Sequence, residues 1–152
     1  MSQDWTPSAS PELRAVVGLT GRVQRVELSE ERRTTLRRTV GEEFYDETTT
    51  LADFCPDPLV LALDSGLPRS ARLGHIVDGG SEWEQLAPLS PGVLTAVSRI
   101  TEVVERTSSS GRRMSRTCYE TTFHDGRGAH VGTTRGFGLD VEGATPADGG
   151  AS

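Results

Sequence analysis

Three histidines, His75, His124 and His130, are all the imidazole in this 152-residue chain. Any histidine-based acid–base chemistry near neutral pH rests on them. His75 stands four residues before the pair Gly79-Gly80 and reads either as a site residue or as a hydrogen-bonded structural histidine. His124 adjoins the turn signal Asp125-Gly126, and His130 opens the last alternating segment, so both read first as exposed strand-end residues. Asp64 follows the apolar run Leu59–Leu63. If it lies inside, its carboxylate needs a partner and is the acid available to His75; at a solvent-facing helix end it needs none. Gly79 and Gly80 either offer a backbone N–H to a carbonyl that gains enolate character, or form a β-bulge without a ligand. Trp83 fits an apolar channel or a subunit seam, where large aromatics are favoured. Arg112, Arg113 and Arg116 suit phosphates or the acidic face of a partner, and equally a solvated strand.

Much chemistry is excluded. All 16 basic residues are arginine, so amine catalysis by lysine has no residue to carry it. Serine, histidine and acid are too scattered for a triad. No Walker loop, zinc spacing or dinucleotide fingerprint occurs, so no metal or cofactor is expected. A net charge of -6 favours solubility and disfavours nucleic acid. The two cysteines, Cys55 and Cys118, are too few and too far apart for a disulfide framework and read as reduced core residues. No run of about 18 apolar residues predicts a membrane span. The start lacks a basic-then-apolar signal pattern, and a cytoplasmic location is expected.

The elements that must position these residues follow from patterning. Residues 1–11 are rich in Ser, Pro and Asp, and residues 143–152 are small and polar. Both read as disordered tails around one domain over 12–142. Apolar residues make up 34% of the chain and aromatics 5%, which implies a thin core or burial completed against a partner. Val23 to Leu28 alternates as a strand. Ser29 caps a helix to about Val40, whose narrow apolar stripe is Leu36 and Val40. Gly41 to Asp53 is acidic and irregular. Asp57, Pro58 and Gly66 then bracket Leu59–Leu63 as a short buried helix, with a strand as the competing reading. Four strand-like segments follow: Arg72–Leu86, Leu94–Arg106, Arg112–His124 and Ala129–Val141. Ser108–Gly111 and Asp125-Gly126 mark tight turns between them. An antiparallel sheet wrapped around one buried helix covers the apolar helix most economically, an α+β hot-dog fold.

The segment Gly79-Gly80-Ser81-Glu82-Trp83-Glu84-Gln85-Leu86-Ala87-Pro88-Leu89-Ser90-Pro91-Gly92 resembles the N-terminal hot dog of MaoC-like acyl-thioester dehydratases. There a Gly-rich strand with an acidic-aromatic pair leads into a Pro-Leu-x-x-Gly-Asp turn. Thr101–Arg106 and Tyr119–Phe123 before Asp125-Gly126 match in style. Here Val93 follows Gly92 where the family usually has Asp. The resemblance implies action on (R)-3-hydroxyacyl thioesters of coenzyme A or acyl carrier protein, losing water or adding it to the trans-2-enoyl thioester. It also implies two hot dogs joined edge to edge, one of them often degenerate.

The catalytic hot dog of that family carries an Asp and a His in a Gly-Asp-x-Asn-Pro-x-His context. Here the matching region, Glu42–Glu47, has acids but no His. The related fatty-acid dehydratases place a His before a Pro-rich turn and an acid on the buried helix. Phe54-Cys55-Pro56-Asp57-Pro58 with Asp64 has that flavour, again without the His. The expectation is a degenerate subunit of a hydro-lyase that shapes the acyl tunnel beside a catalytic second hot dog. The alternatives are a homodimeric dehydratase or thioesterase using His75 and Asp64, and a module that binds an acyl thioester without turnover.

Overall fold

The computed structural model describes residues 5–7, 10–40, 51, 54, 57–69 and 73–143, apart from the side chains of Leu36, Val40 and His75. Along the chain run β1 (Thr6–Pro7), α1 (Pro11–Ala15), β2 (Gln24–Leu28), α2 (Glu30–Val40) and α3 (Pro58–Asp64). Four long strands follow: β3 (Gly74–Gln85), β4 (Gly92–Thr107), β5 (Arg113–His124) and β6 (His130–Glu142). The described strands form one antiparallel sheet in the order β1-β4-β5-β6-β3, with β2 also on β4.

The helix ends follow the capping residues. Asp57 accepts hydrogen bonds from the Leu59 and Val60 amides, Pro58 takes the first turn, and Gly66 adopts φ +90° just past the end. Ser29 Oγ accepts from the Arg32 amide at the start of α2. The described side chains of α2 are exposed or half-buried, as a helix of Arg and Thr requires.

One face of the sheet, the inner face, packs on α3. Gly136 and Gly138 make this possible: a Cβ at Gly136 would lie 3.1 Å from Pro58 Cβ, and one at Gly138 3.5 Å from Leu59 Cδ1. The helix divides the core. Leu61 joins Val26, Leu28, Leu94, Ala96, Phe123 and Val131 on one side. Leu59 and Ala62 join Leu67, Ile100, Val103 and Tyr119 on the other. Leu51 and Phe54, from or beside the stretch expected to be irregular, are both buried in the first cluster.

Register shifts on β4 and β3 adjust which residues share a face. On β4 the shift between Ile100 and Glu102 lets both Ile100 and Val103 point inward. On β3 the shift between Asp78 and Ser81 sets Gly79 and Gly80 opposite Phe137.

The N-terminal segment read as a tail is partly built in. Thr6 and Pro7 pair with Glu105 and Val104, and Pro11–Ala15 is helical with Ser10 as its cap. Composition misses this because a single large ring supplies the anchor: Trp5 lies 4.6 Å from the Arg106 guanidinium and 4.9 Å from that of Arg116. At the other end Gly143 donates its amide to Leu73 O, and residues 144–152 lie outside the described residues. No described helix is long and apolar enough to cross a membrane.

Candidate functional site

Strand alternation sends every second residue of β5 away from α3. Ser115, Thr117, Tyr119, Thr121 and Phe123 are buried, while Arg116, Cys118 and Glu120 face outward. On this outer face the β3 bulge opens a groove of about 450 Å³ lined by Gly79, Gly80, Arg116, Cys118, Arg135 and Phe137, among others. Its size falls within the range of ligand pockets. The bulge and the ring are mutually dependent, because any Cβ at Gly79 would overlap the Phe137 ring. Gly80 adopts φ +121°, which favours glycine, and its amide donates to Asp78 Oδ1 at 2.9 Å. Of the two donors expected to meet a carbonyl, that of Gly80 is therefore engaged within the bulge.

The guanidinium of Arg116 lies over two rings, Trp5 at 4.9 Å and Phe137 at 5.7 Å, and its Nη2 bonds Glu102 at 3.3 Å. Beside it, a row of alternating charge crosses the outer face. Arg99 donates to Glu120 Oε1 at 2.8 Å, and Arg135 donates to Glu120 Oε2 at 3.2 Å and pairs with Glu84 at 3.5 Å. Partial burial pushes the Glu120 carboxyl up, but hydrogen bonds and charge from Arg99 and then Arg135 outweigh it, leaving a net lowering. Cys118, read from sequence as core, is instead a free, half-buried thiol in the groove, because its side chain falls on the outward phase of β5. Burial raises its pKa, Arg116 opposes the rise and Glu102 adds to it, so the thiol stays protonated. Cys55 lies outside the described residues.

The structure thus brings together three residues singled out in the sequence, Gly79, Gly80 and Arg116. It adds Arg135 and Phe137, whose period-two positions read only as sheet alternation, and Trp5, hidden in a polar tail. The other candidates lie elsewhere. Arg112 is exposed at the β4–β5 turn, and Arg113 pairs with Glu105 at 3.8 Å while its amide bonds Glu142. Trp83 is half-buried against the first core cluster. Asp64, the last residue of α3, is exposed, and its carbonyl accepts from Arg22 at 2.8 Å. His75 holds the β3 position opposite Val141, and its side chain lies outside the described residues. His124 and His130 face each other across the β5–β6 hairpin with ring centroids 5.4 Å apart, and His130 Nε2 reaches Thr133 Oγ1 at 2.8 Å.

The inner face holds buried hydroxyls and one buried carboxyl. Ser98 and Thr121 share a 2.7 Å hydrogen bond, and Asp140 is 1% exposed opposite Ser115. Tyr119 donates to Pro68 O at 3.0 Å. Burial first, and the charge of Asp140 second, push its pKa up to about 12.

No protein-family model matches the sequence, and no curated protein matches it. Solved structures do. The monoamine oxidase regulatory protein from Archaeoglobus fulgius aligns with TM-score 0.55 at 14% identity, over 84% of this chain and 92% of that one. A hot-dog-like protein from Thermanaerovibrio acidaminovorans aligns with TM-score 0.50 at 22% identity, over 82% of each chain. The chain is a hot-dog domain. Its α3 is the central helix and β2 to β6 are the sheet around it. The outer groove therefore lies on the face of the hot dog opposite its helix. The segment Glu42–Glu47, where the catalytic pair of the resembled family would fall, lies outside the described residues.

Proposed function

We propose that this hot dog is the degenerate, tunnel-shaping subunit of a heteromeric (R)-3-hydroxyacyl-thioester dehydratase or trans-2-enoyl hydratase. Its substrates are thioesters of coenzyme A or acyl carrier protein, and a second hot dog supplies the Asp/His pair. The reading starts from the MaoC-like resemblance of Gly79–Gly92. The observation that carries it is where the candidate catalytic groups lie. Asp64 faces solvent, and among the described side chains the histidines face each other at the β5–β6 hairpin. Dehydration needs one group to take the α-proton while the carbonyl is polarised and the hydroxyl leaves on the same side. No described His–acid pair meets that need.

The sheet edge supports a partner. Among the described strands β3 pairs only with β6, so a strand of 12 residues ends the sheet with a row of backbone groups open to pairing. A second hot dog joined there would continue the sheet, as the resemblance implies.

The test is hydration of crotonyl-CoA by the purified chain, alone and mixed with the hot dog encoded by the neighbouring gene. Activity only in the mixture is expected. Activity of the chain alone that His75→Ala abolishes would overturn the reading in favour of a self-sufficient enzyme. Acyl-thioester binding with no turnover in either sample would leave a binding module instead.

A further inference from the structure

Across the outer face, one row of side chains alternates in sign from strand to strand. Strand pairing sets Arg99 of β4 opposite Glu120 of β5, Glu120 opposite Arg135 of β6, and Arg135 opposite Glu82 of β3. The bonds of Glu120 to Arg99 and Arg135 hold the row in place without covering it. The side chains of Arg99 and Arg135 stay 59% and 48% exposed, and Glu82 is exposed. Apolar groups lie toward one end of the same face. Met114 stands opposite Val141 and Leu139 opposite Val77, with Phe137 in the next row. Val77 is 51% exposed and the other four are half-buried. A row reading plus, minus, plus, minus has a geometric property. Turned about a two-fold axis that runs along the strands between β5 and β6, it reads minus, plus, minus, plus. A second copy laid on the first in this way sets Arg99 against Glu82 and Glu120 against Arg135, so every contact is between opposite charges. The same rotation sets β5 against β6, so Met114 meets Val141 and Phe137 meets Cys118. An axis along the row would set each charge against itself. The face is therefore complementary to itself in one orientation.

We propose that the outer face of the sheet is a self-association surface whose occupant is a second copy of this chain, packed back to back about that axis. The apolar rows supply affinity, and the charge row fixes orientation, since exposed ion pairs add little stability of their own. Trp5, over Arg106 and Arg116 on the β4–β5 side, falls opposite Val77 of the second copy, so the docked N-terminal arm belongs to the contact. The surface is a sheet face rather than the β3 edge and does not depend on the dehydratase reading.

Sedimentation velocity on the full chain is the test. The wild type should show a concentration-dependent species of twice the chain mass. Arg99→Glu and Glu82→Arg should each weaken it by about tenfold or more, because each sets like charges against one another twice. An equimolar mixture of the two variants should restore it, since every contact between unlike copies is again between opposite charges. Damage to folding or to the pairs within one chain would not be rescued in this way. If either variant does not fold, Glu120→Arg with Arg135→Glu makes the same exchange at the two central positions. A wild type that stays monomeric at about 100 μM, association that Arg99→Glu leaves unchanged, or a mixture as weak as its components would overturn the proposal. The second of these is the result that joining at the β3 edge would give.

Discussion

The two faces of β5 differ in environment more than in the kind of residue they carry. The buried face has Ser115, Thr117 and Thr121 alongside Tyr119 and Phe123, and the outer face has Met114 and Cys118 among its charges. Three hydroxyls are buried and two apolar groups half-buried because α3 covers one face and nothing described covers the other. Of these hydroxyls Thr121 pairs with Ser98, whereas Ser115 Oγ is buried with no hydrogen-bond partner among the described residues. The outer face stabilises its apolar groups by lateral stacking, Phe137 on Arg116 and Arg116 on Trp5. The inner face is thus set by a helix that must sit close, and the outer by side chains that reach across strands.

This contrast can be broken from the inside first. Phe123→Ala, at a site with no exposure, should cost about 3–5 kcal/mol in denaturant unfolding, through lost burial and the cavity left behind. Gly136→Ala should cost about 1–3 kcal/mol, because the added methyl meets Pro58 and the start of α3 and the helix must lift. An equivalent change at exposed Arg135 on the outer face should fall within about 0.5 kcal/mol.

Tyr119→Phe removes the bond to Pro68 O and should cost about 0.5–1.5 kcal/mol at neutral pH. Its pH dependence is sharper. The folded state holds the Tyr119 proton more tightly than the unfolded chain, so that stabilisation is complete below pH 10 and is lost as pH rises through about 12. Unfolding measured from neutral to alkaline pH should show a steeper alkaline decline in the wild type than in Tyr119→Phe. A small effect is expected from Glu120→Gln, at most about 1 kcal/mol for an outer-face ion-pair row. Because the folded Glu120 pKa is lowered, its contribution is present above the ordinary value of 4.5 and lost as pH falls through the lowered one. Glu120→Gln should flatten that acid limb and leave the alkaline limb unchanged.

The sequence by itself determined α3 and the long strands, though not β1 or α1. Asp57, Pro58 and Gly66 delimit α3 because capping and backbone freedom are local properties. The alternation of Met114, Cys118 and Thr122 against Tyr119 and Phe123 separates the faces of β5 because the strand period is local too. The Gly79-Gly80 bulge was legible for the same reason. Which face each alternation buries was not, and Cys118 was assigned to the wrong one. That choice belongs to α3, which reaches the sheet over Gly136 and Gly138, far along the chain from Pro58 and Leu59. The groove was equally out of reach. It needs Trp5 from the N-terminal arm, Arg116 from β5 and Phe137 from β6, side chains that meet only through strand register. Local chemistry wrote the strands and the helix, and long-range contact decided what they enclose.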